Sequence, residues 1–217
     1  MFERLFKRKN VFSYIPAFLA AFCSLTVGIN PFSSAVFAVM VEEKIPVLIT
    51  FLFTSIVQLV LFGYVDALRF LTFAVIYSLI KAFAKNKQKY NDKDIIDVLS
   101  YFTIRVLFAS LISEGLLLLT GIEEITNLAN AIYLVIAIAT FSIVFMYGYK
   151  YYFNLIKENE EQIKFMHMVS FLIMCVVCTS IIKEGTVFGI NIWASLTIVF
   201  LLNNLKYVEK IFIFLKL

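Results

Sequence analysis

Arg105 lies about eight positions into an apolar stretch running from Val98 to Thr120, and a guanidinium at that depth of a bilayer costs at least ~2.5 kcal/mol on insertion scales. A charge placed there demands a polar group facing it. Glu114 shares the stretch, yet a separation of about nine residues at about 100° each turns it to the opposite helix face. The partner is therefore expected on another helix: Gln58, His167 or an asparagine. Such a pairing reads either as a structural tie between helices or as part of a substrate or proton site. Glu114 itself stands about a turn and a half from the far end of the stretch, where its carboxylate is expected to reach lipid headgroups. Asp66 and Arg69 have the spacing of a helical i,i+3 ion pair and are placed at the outer interface. His167, near the inner end of its segment, reads as an interfacial side chain.

The tripeptide Gly28-Ile29-Asn30 recurs as Gly189-Ile190-Asn191, with Ser33-Ser34 and Ala194-Ser195 at matching offsets. Repeats accompany the broken helices of many transporters, so Asn30 and Asn191 join Arg105, Gln58 and Glu114 as candidate intramembrane polar residues. In a chain this biased, the match is also expected by chance. Cys175 and Cys178 spell C-x-x-C, but no second ligand pair adjoins them. Like Cys23 they lie in apolar sequence and read as small apolar filler, so no metal site is assigned. The sequence has no phosphate-binding glycine loop, no H-E-x-x-H, no carboxylates paired on one face and no nucleophile beside a base. Neither a catalytic residue nor a cofactor is expected.

The elements that must position these residues follow from composition. Of 217 residues, 62% are hydrophobic and 16% charged, against roughly 45–50% and ~25% in soluble domains. One water-soluble core cannot hide that excess. With 24 Phe but 7 Gly and 3 Pro, long helices are expected rather than a barrel of short alternating strands. The fold class is thus all-α, a polytopic transmembrane helix bundle. A span needs roughly 20 residues to cross about 30 Å of hydrocarbon. Seven segments approach this: Val11 to Gly28, Pro46 to Tyr64, Leu68 to Ala84, Val98 to Thr120, Asn127 to Tyr147, Phe165 to Ile182 and Thr186 to Leu205. An eighth, Pro31 to Val41, covers only about 16 Å and is either a short span or a re-entrant helix.

Lysine and arginine decide between those two. The formal charge of +4 is spread as basic clusters between apolar stretches, the pattern that orients membrane helices rather than one that grips nucleic acid. If the short helix crosses and the N-terminus is inside, sixteen basic residues are cytoplasmic and only Arg69 and Lys183 lie outside; if it does not cross, six are inside and twelve outside. The usual cytoplasmic excess selects about eight spans, the second one short, with both termini cytoplasmic. Residues 1–10 then form a basic cytoplasmic leader, retained because the apolar run after it is long and lacks a small-residue cleavage site. Residues 11–205 form the transmembrane domain and 206–217 a cytoplasmic tail. The connections Lys85 to Asp97 and Lys150 to Lys164 are short and charged, suited to headgroups or a protein partner. Tyr147, Tyr149, Tyr151 and Tyr152 are expected in the inner aromatic belt.

The stretch Gly28-Ile29-Asn30-Pro31-Phe32-Ser33-Ser34-Ala35-Val36-Phe37-Ala38-Val39-Met40, followed by Glu42-Glu43-Lys44, resembles part of the N-terminal membrane region of the stage II sporulation protein E family. The likeness is to the Pro-Phe start of that region's short second helix and the charged turn after it. A second likeness lies at Glu160-Glu161-Gln162-Ile163-Lys164-Phe165-Met166, ahead of Gly185 and Gly189, and the hydropathy resemblance covers most of the chain. It implies the membrane region of a sporulation phosphatase. That family has further spans, a central region that interacts with the tubulin-like division protein, and a C-terminal metal-dependent serine/threonine phosphatase domain, none of whose metal ligands carries over. The implied role is a cell-membrane anchor and assembly domain without enzymatic activity. It would hold a cytoplasmic module or protein partner at the lipid bilayer through helix contacts and homo-oligomer formation. The rival class is a small-solute transporter, or the membrane-embedded substrate-binding subunit of one, with Arg105, Gln58, Asn30 and Asn191 lining a polar cavity. Apart from Asn30-Pro31, little Gly or Pro is placed to break helices at mid-membrane.

Overall fold

The computed structural model describes residues 8–23, 30–84, 95–122, 128–157, 165–179, 186–187 and 190–191. Among them the chain forms α1 (Arg8–Phe22), α2 (Pro31–Glu42), α3 (Leu48–Val57), α4 (Tyr64–Ala84), α5 (Ile95–Leu119), α6 (Leu128–Lys157) and α7 (Phe165–Thr179). A π-helical turn, Gln58–Phe62, continues α3. A short antiparallel pair, β1 (Thr186–Val187) with β2 (Ile190–Asn191), follows α7.

The protein is helical, and the helices fall in chain order on the first seven expected segments. The span count needs correction. Two helical stretches, Ser100–Leu119 and Leu128–Lys150, are long and apolar enough to cross a membrane, while Pro31–Glu42 and Leu48–Phe62 are apolar but shorter. α4 has the length but carries Asp66, Arg69 and Lys81. The segment expected from Thr186 opens on the strand pair rather than on a helix. The first residues of the leader, most of the connection 85–97, parts of 121–126 and 150–164, the turn 183–185, residues 192–205 and the tail 206–217 lie outside the described residues.

α2 is the element around which the others pack. Pro31 occupies its first turn, where the missing N–H has no intrahelical partner to lose. Asn30 caps it, its side-chain oxygen accepting from the amides of Phe32 and Ser33 at 3.0 and 3.1 Å. Every residue from Pro31 to Met40 is buried, and α1, α3, α4, α5 and α6 all touch the helix. A helix apolar all round belongs at the centre of a bundle. Phe32 meets Phe141 of α6 edge-on at 4.6 Å, and Phe37 meets Phe70 of α4 at 5.8 Å. At the other end, the Ile45 amide donates to the Met40 carbonyl at 2.9 Å and the Lys44 amide to the Val41 carbonyl at 3.3 Å, a Schellman closure. Lys44 takes its left-handed position, φ +57°, where glycine is the usual residue.

Contacts fix the sense of the helices. The start of α2 lies against Ala20 and Ala21 at the end of α1, and against Gln58 beyond the end of α3. Its last residue, Glu42, meets Lys81 near the end of α4 and Arg105 in the first half of α5. α2 therefore runs with α4 and against α3 and α5. It takes the chain from the level of Gln58 to that of Lys81 and Arg105 instead of turning back on the side it entered.

α6 and α7 approach closely at Gly148, where an added Cβ would stand 3.3 Å from both the Ser170 carbonyl and Met174 Sδ. Outward-facing positions are apolar: Leu52, Ile56, Val60, Phe83, Phe108, Leu111, Ile132 and Ile136 are all more than half exposed.

Candidate functional site

Polar side chains enter this apolar bundle at three levels. The first is where α1 ends, α2 begins and α3 passes into the π-helical turn. The Asn30 side-chain amide donates to the carbonyls of Ala20 and Ala21, both at 3.0 Å, answering two of the carbonyls left open at the end of α1. Gln58, 1% exposed, donates to the Ala21 carbonyl at 3.2 Å and to Ser33 Oγ at 3.0 Å. Its own carbonyl accepts from the Gly63 amide at 3.0 Å, five residues on, which is the π-helical bond. Gly63 ends the turn at φ +97°. Thr50, Thr54 and Gln58 follow at i,i+4 spacing, putting three buried polar groups on the α3 face toward α2. Ser33, Thr50 and Thr54 line a cavity of about 10 Å³, room for about one water.

The second level lies at the far end of α2. Glu42 accepts an ion pair from Arg105 Nη2 at 3.2 Å and another from Lys81 Nζ at 2.5 Å, and Tyr77 Oη donates to it at 3.4 Å. Three helices thus meet on one carboxylate. Arg105 Nε donates in addition to the Tyr101 carbonyl at 3.2 Å within its own helix.

The third level joins α4 and α5 near the opposite end. Arg69 holds Asp66 at 2.6 Å and Glu114 at 3.1 Å, and the Arg69 and Glu114 side chains are 9% and 4% exposed. Ser113 Oγ donates to the Arg69 carbonyl at 3.3 Å beside them.

Asn30 and Gln58 meet at the Ala21 carbonyl, apart from Arg105 and Glu114 rather than lining one cavity with Arg105. The Arg105 partner is Glu42, rather than Gln58, His167 or an asparagine. Glu114 does not reach the bundle surface: it is buried and tied to Arg69, because the two helices run antiparallel and bring positions 69 and 114 level. Arg69 is likewise buried rather than interfacial. Asn191 lies in β2, paired with Thr186, whereas Asn30 caps a helix, so the repeated tripeptide does not repeat a structure. Gly28, Ile29 and Gly189 are outside the described residues. His167 is half-buried, its ring 5.1 Å from that of Tyr147. Tyr149 leaves the expected aromatic belt, being wholly buried, since its position on α6 faces the bundle. The Cys23 thiol reaches the Val177 carbonyl of α7 at 3.1 Å. The side chain of Cys178 is outside the described residues.

Sequence reading missed Glu42, Lys81, Tyr77, Ser33, Thr50 and Thr54. Only the i,i+4 run Thr50-Thr54-Gln58 carried a legible signal. Glu42 looked like an ordinary turn acid. Chemically, Glu42 and Glu114 each pair with a cation on another helix, and at the first level Asn30, Gln58, Ser33 and Thr50 each bond a backbone or side-chain group. These are arrangements that tie helices together.

Comparison with family models, with curated proteins and with solved structures finds no match to this chain. Among the described residues, fold and site define a helical protein with two helices able to span a membrane by length and composition, with Arg69 paired to Glu114 and Arg105 to Glu42 between helices.

Proposed function

We propose that this chain is a multi-pass membrane domain that anchors and assembles, holding a cytoplasmic module or partner at the cell membrane. The observation that carries this reading is the reversed polarity of the bundle. Large apolar side chains such as Leu52, Val60, Phe108 and Ile136 face outward, while Arg69, Glu114, Gln58 and Asn30 are buried. Water disfavours so much exposed apolar area, whereas a bilayer favours it and turns ionisable groups toward the interior. The sense of α2 supports a crossing second segment within the eight-span reading: a helix that runs with α4 and against α3 reverses every later span, as the basic residues require.

Anchoring is favoured over transport because the interior charges are used up in pairs between helices. The polar niche beside Ser33 has about 10 Å³, whereas small-molecule sites occupy roughly 300–1,000 Å³. Transport has one observation on its side, the capped start of α2 beside a π-helical turn, since broken helices form sites in transporters. The likeness of the Pro-Phe helix to the membrane region of a sporulation phosphatase makes a cytoplasmic phosphatase-type module the partner of this reading.

Two measurements test it. The chain should stay with membranes through alkaline carbonate extraction; release to the supernatant removes the membrane reading. Vitamins, amino acids and nucleosides should give no saturable thermal stabilisation of the purified protein. A shift with one compound that is lost in Gln58→Ala replaces anchoring by transport.

A further inference from the structure

We propose that the Glu42 end of the bundle binds an anionic phospholipid, its phosphate held at Lys44 and Lys81 and one acyl chain laid in a groove between α3 and α4. The proposal rests on the membrane reading above. The groove has a volume of about 410 Å³, with Phe37 and Phe51 at its base and Val47, Leu48 and Leu79 along its walls. Its lining is almost wholly apolar, which suits a hydrocarbon chain. It also runs toward charge. Ala74 and Ser78 line it, and Lys81 follows at the i,i+3 position from Ser78, on the same face of α4 one turn further along. On the other wall, Val47 and Leu48 come just after Lys44 in sequence.

Lys81 is paired with Glu42, and both Lys44 and Arg105 lie within electrostatic reach of it. Among the described side chains around Lys81, the cations Lys44, Lys81 and Arg105 stand with the carboxylates Glu42 and Glu43, leaving one positive charge over. Lys44 is exposed and is held at φ +57°, a conformation strained for any side chain except glycine. In the eight-span topology this end faces the cytoplasmic leaflet, where anionic lipids attract such clusters.

The test follows thermal unfolding of the full chain in neutral detergent with phosphatidylglycerol, with phosphatidylcholine of the same acyl chains, and with inorganic phosphate. Phosphatidylglycerol should stabilise saturably, at concentrations about fivefold below phosphatidylcholine, and inorganic phosphate should give no shift. Lys44→Gly removes a cation where glycine suits the backbone. It should leave the lipid-free melting temperature equal or higher while weakening phosphatidylglycerol by about fivefold. Ser78→Phe, at an exposed position, should fill the groove and abolish the advantage of long over short acyl chains. Equal response to the two lipids, an equal shift from inorganic phosphate, or unchanged lipid binding in both variants overturns the site. Loss of the chain from carbonate-washed membranes overturns the membrane reading instead.

Discussion

Arg69 and Glu114 face each other with side chains almost entirely withdrawn from the surface, and Arg69 also holds Asp66, so removing the guanidinium takes a cation from two carboxylates. Arg69→Leu is expected to cost about 3 kcal/mol, whereas the double variant Arg69→Met, Glu114→Leu should lose less, because the more deeply buried of the two carboxylates is removed together with the cation and only the more exposed Asp66 loses it. Denaturant unfolding in detergent distinguishes them; a double variant no more stable than the single one contradicts the argument. Arg105 behaves differently, since Glu42 keeps Lys81 and Tyr77 when the guanidinium is removed. Arg105→Leu should therefore cost about 1 kcal/mol, less than Arg69→Leu, and Arg105→Lys less still. A larger loss at 105 than at 69 in the same unfolding series would reverse this ranking. That Arg105 needs a partner was legible from its place in an apolar run. That Glu42 supplies it was not, because the pairing depends on which helix lies beside α5, and spacing along one helix says nothing of that.

Among the elements, α6 and α7 approach closely at a glycine. Gly148 lets α6 reach α7, with the Ser170 carbonyl and the Phe171 Cα at 3.3 and 3.4 Å from where a Cβ would stand. Backbone cannot yield as a flexible side chain can, so Gly148→Leu must push the helices apart. The expected result is a loss of about 1–3 kcal/mol, read as a lower melting temperature in detergent, with the α4 and α5 ion pairs left intact. A variant as stable as the original contradicts the close approach. At the end of α3 the constraint is conformational instead. Gly63 has open space around it but φ +97°, so Gly63→Ala should cost about 1–3 kcal/mol through strain alone and disturb the π-helical turn that orients Gln58. Unchanged stability in that variant would show that the turn re-forms without its glycine. The helices themselves were readable from long apolar runs with few breakers. The π-helical turn and the strand pair at Thr186 were not, because local bond pattern leaves no mark on composition.

For the whole molecule, the proposed eight-span topology makes a prediction about the loops. With single cysteines added after the native three are replaced, an impermeant thiol reagent on intact cells should label the connection at 121–126 and spare that at 85–97. The opposite pattern refutes the eight-span topology. The bundle as a whole inverts the usual polarity: its outer surface is built from Leu, Ile, Val and Phe, and its polar groups meet inside. The amide bonds of Asn30 and Gln58 that hold the start of α2 are therefore shielded from water, which raises the cost of breaking each one.

Composition, charge clustering and the length of apolar runs were enough to specify helices, their order and the preference for a crossing second segment, because those properties add up residue by residue along the chain. The partners were decided only in three dimensions. Arg105 with Glu42, Arg69 with Glu114 and Gln58 with Ser33 each join different elements, and their meeting depends on which helices are neighbours and in what register. The burial of Glu114 and Tyr149 likewise follows from the packing of α5 and α6 against the rest. A sequence can state that a buried charge must be answered, but only the packed bundle determines which residue answers it.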